Sequence, residues 1–113
     1  MITWITGNSG AGKTVLAKKL NNNHIILDGD EMRKVWRLGF SKKDRWEQNL
    51  RIARLAKILE KQKFNIIIAT ICPYVKLRQE VKKITNCKFI YLSGGKKSSK
   101  KYPYEKDSII CKK

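Results

Sequence analysis

The fold of this chain is decided by the stretch Gly7-Asn8-Ser9-Gly10-Ala11-Gly12-Lys13-Thr14, a full match to the phosphate-loop pattern G-x-x-x-x-G-K-[ST]. Its glycines allow a tight turn whose backbone N–H groups approach phosphate oxygens closely. Lys13 can reach the β- and γ-phosphates, and the Thr14 hydroxyl can ligate Mg²⁺. The stretch therefore predicts a site for ATP and magnesium, with these eight positions, 7–14, as its binding residues.

The residues on either side of this phosphate loop fit the same interpretation. Residues 2–6 form a short β-branched and aromatic run that is typical of a buried strand. Residues 15–20 continue as a helix, with Leu16, Ala17 and Leu20 expected on one face. Strand, glycine-rich loop and helix is the arrangement that the motif requires, and the helix directs its positive end at the phosphates. A chance glycine-rich turn is therefore disfavoured.

Length and composition indicate one domain, residues 1–113, with 42% hydrophobic residues as in ordinary globular proteins. No apolar run approaches the roughly 20 residues that a membrane span needs. The chain begins directly with a predicted strand and shows no signal peptide, so we expect a cytoplasmic protein. Cys72, Cys87 and Cys111 form no C-x-x-C pair, which favours reduced thiols over a metal knuckle or a disulfide framework.

The net charge of +17 suits phosphorylated substrates, nucleic acid or an acidic partner, and it also suits a lysine-rich solvated surface. The phosphate loop already accounts for an anionic ligand. The sequence carries no RNP-like aromatic signature and no zinc finger. Nucleic acid is therefore not favoured as the main partner.

Predicted strands and helices alternate along the rest of the chain. The strands are expected at 24–27, 64–70 and 88–92, and the helices at 31–37, 42–61 and 73–84. The near-continuous apolar run at 64–70 indicates a strand that is buried on both faces of a parallel sheet. Ser41, followed by Asp44, is the expected N-terminal cap of the helix at 42–61.

The C-terminal part differs in composition. Residues 93–101 are rich in Gly, Ser and Lys and predict a flexible basic loop, and residues 108–111 predict a fifth, edge strand. Together these elements predict an α/β, three-layer fold of the P-loop NTPase or kinase type, with a mostly parallel sheet of about five strands.

Two carboxylates lie where such a fold binds ligands. Asp28 and Asp30 close the second predicted strand, at the carboxyl edge that the phosphate loop also occupies. Either one could instead cap the following helix, but a functional role for the pair is favoured. The long helix carries three polar residues near its start, Arg45, Gln48 and Arg51. They are either solvated polar residues or further ligand contacts.

In combination, these motifs resemble the adenylylsulfate (APS) kinase family. The resemblance rests on the ordered segments 4–14, 27–33 and 38–45, followed by Ile71-Cys72-Pro73-Tyr74 and Tyr102-Pro103-Tyr104-Glu105. It implies transfer of the γ-phosphoryl of ATP to the 3′-hydroxyl of a nucleoside 5′-phosphoanhydride, with adenylylsulfate favoured as the acceptor. Alternatives are another nucleotide conjugate such as cytidine diphosphoramidate, or a non-catalytic nucleotide-binding module. The resemblance also implies that the chain could form a homodimer.

The resemblance implies roles for individual residues. Lys13 and Asp30 would be catalytic, with Asp30 near the 3′-hydroxyl of the acceptor. Phe40 would stack on the acceptor base, and Arg45 would bind its 5′ anion with bidentate geometry. The other residues implied in acceptor binding are Asp28, Arg33, Gln48, Ile71, Cys72, Pro73 and Tyr74.

The sequence departs from the family pattern in several places. Cys72 and Gln48 stand where the family usually has serine and asparagine, and Asn49 is adjacent to Gln48. The lid region, 93–107, is shortened to a lysine-rich loop that precedes the Pro-Tyr-Glu segment. A closing lid normally excludes water during phosphoryl transfer. The lysines of this loop are therefore candidates to approach the γ-phosphate.

Overall fold

The computed structural model describes residues 1–111, in which strands and helices alternate. The strands are β1 (Ile2–Thr6), β2 (Ile25–Asp28), β3 (Ile66–Ala69) and β4 (Lys88–Tyr91). The helices are α1 (Lys13–Leu20), α2 (Gly29–Trp36), α3 (Lys42–Lys61) and α4 (Val75–Thr85). The predicted α/β fold is confirmed.

The strands form a 4-stranded parallel sheet in the order β2-β3-β1-β4. Every residue of β3 is buried, as expected for an apolar strand that is covered on both faces. Because all the strands run in the same direction, their carboxyl ends share one edge of the sheet. The phosphate loop leaves β1 at this edge and Asp28 ends β2 there, so the fold places the candidate site at this edge.

Alternating side chains of β3 pack into two different layers. Ile66 and Ile68 belong to a core with Ile52 of α3 and Leu77 of α4, whereas Ile67 packs with the α1 side. This alternation follows from the period of two along a strand. The result is the predicted three-layer arrangement, with helices on both faces of the sheet.

The prediction of a fifth strand at 108–111 is wrong. Residues 108–110 form a turn. Asp107 Oδ1 accepts hydrogen bonds from the backbone N–H groups of Ile109 and Ile110, at 2.8 and 2.6 Å. The carboxylate therefore satisfies locally two amides that an edge strand would have offered to a neighbouring strand.

The lysine loop at 93–101, predicted to be flexible, is attached to the phosphate loop. The backbone N–H of Lys96 donates to the carbonyl of Ser9 at 2.8 Å. The Asn8 side-chain amide donates to the carbonyls of Lys96 and Tyr102, each at 2.9 Å. A Cβ added at Gly95 would lie 2.6 Å from the Asn8 carbonyl oxygen, so the two loops are in close backbone contact.

Residues 102–107, which we call the strap, follow this loop and cross the carboxyl edge of the sheet. The Tyr104 hydroxyl shares a hydrogen bond of 2.9 Å with Thr6 Oγ1 at the end of β1. The Glu105 N–H donates to the carbonyl of Pro73 at 2.7 Å. The strap is therefore joined to two neighbouring strands, to β1 through its last residue, Thr6, and to the segment after β3 through Pro73.

Within residues 1–111, no helix combines the length and apolar character needed to cross a membrane. The three cysteines are free, with Cys72 and Cys87 buried and Cys111 partly exposed.

Candidate active site

The phosphate loop adopts backbone conformations that favour glycine. Gly10 and Gly12 have φ values of 82° and 94°, in the left-handed region. Gly12 is also the N-cap residue from which α1 begins. A Cβ added at Gly7 would lie 2.4 Å from the carbonyl oxygen of Leu92, so the glycine allows β4 and the loop to approach each other. These features support the predicted phosphate cradle at the N-terminus of α1.

A first cavity of about 200 Å³ lies against this loop. Its wall includes Ser9, Gly10, Gly12, Lys13, Thr14, Val15, Asp28, Gly29, Asp30, Arg33, Ala69, Thr70 and Ile71. Lys13 Nζ donates to the Asn8 carbonyl at 3.0 Å. Burial lowers the pKa of Lys13, while the charges of Asp30 and Asp28 act in the opposite direction. The lysine charge is thus placed in a partly desolvated site beside two carboxylates.

Thr14 and Asp28 form an oxygen-rich corner of this cavity. The Thr14 hydroxyl donates to Asp28 Oδ1 at 2.8 Å. The other carboxylate oxygen of Asp28 accepts the N–H of Glu31 at 3.2 Å and caps α2. Asp28 is therefore both a helix cap and a cavity residue. A hydroxyl beside a carboxylate fits Mg²⁺, which prefers oxygen ligands and is usually bound through one or two carboxylates together with substrate phosphates.

A second cavity of about 460 Å³ adjoins the first, and its volume lies in the usual range for small-molecule sites. Its wall includes Asn8, Ser9, Asp30, Arg33, Phe40, Arg45, Asn49, Thr70, Ile71, Cys72, Pro73, Lys101, Tyr102 and Pro103. The structure therefore brings together Asp30, Phe40 and Arg45, which the sequence predicted as acceptor contacts.

Phe40 presents an exposed aromatic face beside two arginines. Its side chain is 66% exposed, and the guanidinium carbons of Arg33 and Arg45 lie 4.4 and 6.0 Å from its ring centroid. Arg33 also pairs with Asp30 at 3.3 Å. Burial lowers the pKa of Arg33, Asp30 raises it and Arg45 lowers it further. A planar ring next to guanidinium groups is suited to an aromatic ligand that carries an anion.

Gln48 and Tyr74, both predicted to bind the acceptor, are not part of the wall of either cavity. Gln48 is buried and donates to the Gly29 carbonyl at 3.1 Å, which supports the start of α2. Tyr74 stacks on Trp46 with ring centroids 5.6 Å apart. The neighbouring Asn49 lines the second cavity instead and donates to the Arg45 carbonyl at 2.8 Å.

The segment after β3 supplies the wall residues Ile71, Cys72 and Pro73, as predicted. Cys72 has a left-handed φ of 46°, and its carbonyl accepts from Arg78 Nη1 at 2.8 Å. Burial raises the pKa of the Cys72 thiol, so the thiol is neutral near pH 7. Cys72 is therefore a wall residue and not an activated nucleophile.

Two contributions to the cavities come from residues that were not predicted to bind the acceptor. Lys101, Tyr102 and Pro103 line the second cavity, and the Lys101 carbonyl accepts from Arg45 Nη2 at 3.3 Å. No local motif indicated this, because the contact depends on how the loop returns to the sheet. Thr70 lines both cavities. Its position directly after the buried strand was a usable signal, since residues there lie at the ligand-binding edge.

The two cavities meet at a common boundary. Ser9, Asp30, Arg33, Thr70 and Ile71 line both. A group bound by the phosphate loop and a group bound beside Phe40 would therefore approach each other at this boundary. Such an arrangement suits transfer of a group between two ligands.

Comparison with known proteins identifies relatives of this chain. The sequence profile of the adenylylsulphate kinase family matches residues 1–98. An adenylyl-sulfate kinase of Myxococcus xanthus is 40% identical over 92 residues, covering 74% of this chain and 49% of the relative. A probable adenylyl-sulfate kinase of Pyrococcus abyssi is 40% identical over 89 residues, covering 71% and 51%. The chain thus spans about half the length of these relatives.

Solved structures agree with these matches. A hexameric APS kinase from Thiobacillus denitrificans has a TM-score of 0.72 and 28% identity, covering 96% of this chain and 24% of that chain. A Mycobacterium tuberculosis APS kinase has a TM-score of 0.67 and 26% identity, covering 88% and 79%. The profile match, the relatives and the shared fold lead to one conclusion: this chain belongs to the adenylylsulphate kinase family.

Proposed function

We propose that this chain is a kinase that transfers the γ-phosphoryl group of ATP to the 3′-hydroxyl of adenylylsulfate. The observation that supports the proposal most is that the two cavities share a boundary, which Asp30 and Arg33 both line. A Mycobacterium tuberculosis APS kinase has been solved with AMPPNP and APS together, at a TM-score of 0.64 and 28% identity, covering 81% of this chain and 60% of that chain. This precedent supports two nucleotides for two adjoining cavities.

In this proposal the first cavity holds the phosphates of ATP. Backbone amides of the phosphate loop and the N-terminus of α1 bind phosphate oxygens, and Lys13 leaves the Asn8 carbonyl to bind the γ-phosphate. A magnesium ion, when bound, would be held by Thr14 with help from Asp28 and would neutralise phosphate charge. These groups supply positioning and charge, which phosphoryl transfer mainly requires.

The second cavity holds the acceptor. Phe40 stacks on the base, and Arg45 binds the 5′ anion. The Asp30 side chain is 86% exposed, so an incoming hydroxyl can reach it. Asp30 orients the 3′-hydroxyl and accepts its proton as the new O–P bond forms. Arg33, paired with Asp30, holds this carboxylate and adds positive charge beside the transferring group.

The test is a turnover assay with ATP, magnesium and either adenylylsulfate, cytidine diphosphoramidate or no acceptor. ADP release and 3′-phosphorylated product are measured by coupled absorbance and by ³¹P NMR. We expect product with adenylylsulfate at the highest kcat/KM, and little ADP without acceptor. Preference for the cytidine conjugate would retain the chemistry but change the acceptor, whereas an absence of product with either acceptor would reject the kinase.

Asp30 provides the decisive variant in this assay. Asp30→Asn should lower kcat by about 10²–10⁴-fold, as loss of a general base does. Glu31→Gln is the matched control, since Glu31 is the exposed neighbouring carboxylate on α2. The control should change kcat by less than about twofold, because surface substitutions usually have small effects. Tight ATP binding without turnover, unchanged by Asp30→Asn, would instead support a non-catalytic nucleotide-binding module.

A further inference from the structure

One hydroxyl at the boundary between the cavities has no role in the mechanism proposed above. The buried threonines are Thr6, Thr70 and Thr85. The Thr6 hydroxyl donates to the Ile71 carbonyl at 2.5 Å, and the Thr85 hydroxyl donates to the Val81 carbonyl at 2.7 Å. Among the described residues, Thr70 Oγ1 has no such partner, although Thr70 is only 4% exposed. Thr70 also lines both cavities, so its hydroxyl can take a hydrogen-bond partner from a ligand that is bound there.

The surroundings of Thr70 show where such a partner would lie. Thr70 immediately follows β3, and its backbone N–H donates to the Ile5 carbonyl at 3.3 Å, which fixes the residue at the edge of the sheet. Its side chain packs against Gly29, where an added Cβ would lie 2.7 Å from Thr70 Oγ1. Gly29 precedes Asp30 in α2, so the hydroxyl lies beside the turn that carries the proposed general base.

We propose that the Thr70 hydroxyl donates a hydrogen bond to the phosphoryl group as it passes from one cavity to the other. The inference rests on the proposed kinase function and adds a catalytic residue to it. During transfer, the bond from the acceptor 3′-oxygen to phosphorus forms and the bond from phosphorus to the β-phosphate oxygen breaks. The proton of the acceptor 3′-hydroxyl goes to Asp30, and ADP leaves. Thr70 keeps its own proton throughout.

A neutral donor is chemically useful at this position. Negative charge on the transferring group is spread over its equatorial oxygens, and a fixed donor stabilises that charge without reorganisation. Lys13 in the first cavity and Arg33 on the boundary already supply positive charge. A hydroxyl adds a directed hydrogen bond without adding a further charge. The interaction would form mainly in the transition state, so its loss should affect kcat more than either KM.

The test compares Thr70→Val, which keeps the β-branched shape and removes the hydroxyl, with Thr70→Ser, which keeps the hydroxyl. Thr3→Val is the matched control, since Thr3 lies in β1 outside both cavities. We expect Thr70→Val to lower kcat by about 10–100-fold, with both KM values within about threefold of wild type. Thr70→Ser should retain at least about a third of kcat, and the control should match wild type.

Thermal unfolding of each variant separates chemistry from folding. Thr70→Val should unfold within a few degrees of wild type, since it keeps the β-branched shape and removes no hydrogen bond that the hydroxyl makes within residues 1–111. An equal loss of kcat in Thr70→Val and Thr70→Ser, or an unchanged kcat in Thr70→Val, would overturn the role of Thr70 and leave the proposed kinase standing. Absence of turnover in the wild-type chain would overturn the proposed kinase, and the Thr70 assignment with it.

Discussion

Lys13 is a partly buried charge beside two carboxylates, and the proposed function gives it a role in binding ATP. Burial lowers its pKa, and the carboxylates of Asp30 and Asp28 oppose that effect. Below the lowered pKa the ammonium is charged and can bind the γ-phosphate of ATP. Above it the charge is lost. The affinity for ATP should therefore fall as the pH rises through this pKa, which lies below the ordinary value of 10.5.

The ATP dissociation constant measured by calorimetry across this pH range checks the expectation. Lys13→Arg should keep its charge at alkaline pH and lose the pH dependence, since arginine stays protonated. If the ATP dissociation constant changes with pH in the same way in Lys13→Arg and in wild type, the titrating group is not Lys13.

Replacing Lys13 altogether tests its role at neutral pH. Lys13→Ala should weaken ATP binding by at least about tenfold, because it removes a charge-assisted contact, and should leave the circular dichroism spectrum unchanged. Lys18→Ala, at an exposed position of the same helix, is the control and should bind as wild type. Unfolding of Lys13→Ala would show that the lysine serves the fold and not the ligand.

At the residue scale, the sequence predicted those site residues that belong to local motifs. Most positions of the phosphate loop and of Asp28-Gly29-Asp30 line a cavity because they are close neighbours along the chain, whereas Gly7 and Ala11 line neither. Gln48 could not be placed in the same way. Successive residues of a helix differ by about 100° in direction, so Gln48 reaches the buried side of α3 while Asn49 reaches the cavity.

At the element scale, the strap depends on one buried arginine. Arg78 is fully buried, and its guanidinium donates to the carbonyls of Cys72 and Glu105 and to the Asp107 carboxylate. The same group lies 4.8 Å from the centroid of the Tyr104 ring. Because the strap contributes Tyr102 and Pro103 to the second cavity, this arginine supports the wall of that cavity without lining it.

Arg78→Met should therefore release the strap. We expect faster trypsin cleavage after Lys101 and Lys106, and a loss of about 3 kcal/mol in the free energy of unfolding, as when a buried polar network is broken. The KM for the acceptor should rise while the dissociation constant for ATP stays constant. Arg54→Met, at an exposed position of α3, is the control. It should leave the cleavage rate, the free energy of unfolding and the KM for the acceptor unchanged. Equal cleavage rates in Arg78→Met and wild type would contradict this role.

The elements themselves were predictable where local signals agreed. The predicted and observed bounds of α3 coincide, and Ser41 Oγ accepts the N–H of Asp44 at 3.1 Å, as a cap should. The Asp44 carboxylate accepts from Gly39 N–H and does not complete a capping box. Leu20, predicted to share one face of α1 with Leu16 and Ala17, is 42% exposed near the end of the helix. Such details depend on tertiary contacts that no local pattern contains.

At the scale of the whole molecule, the net charge of +17 raises the question of nucleic acid. Lysines concentrate in the loop at 93–101, beside a cavity that also contains Arg33 and Arg45. Non-specific binding of an oligonucleotide to such a surface would fall steeply with salt. The proposed nucleotide sites are the two cavities, so an oligonucleotide bound to exposed lysines outside them should not change turnover.

Single-stranded oligonucleotides should therefore bind at low salt, lose affinity by about 10³-fold or more as salt rises, and leave turnover unchanged at about 0.15 M salt. Fluorescence anisotropy and the turnover assay, run in the same buffers, measure both effects. Lys13→Ala should bind the oligonucleotide as wild type does. Stoichiometric competition between oligonucleotide and acceptor at about 0.15 M salt would instead indicate a nucleic-acid substrate.

The most direct measurement is a crystal structure of the chain with a non-hydrolysable ATP analogue, magnesium and adenylylsulfate. We predict the analogue's phosphates in the phosphate loop, the acceptor base on Phe40, and the 3′-oxygen about 3–3.5 Å from the γ-phosphorus, beside Asp30 and Thr70. An acceptor bound away from Phe40, or a 3′-hydroxyl directed away from the γ-phosphate, would contradict phosphoryl transfer across the shared boundary.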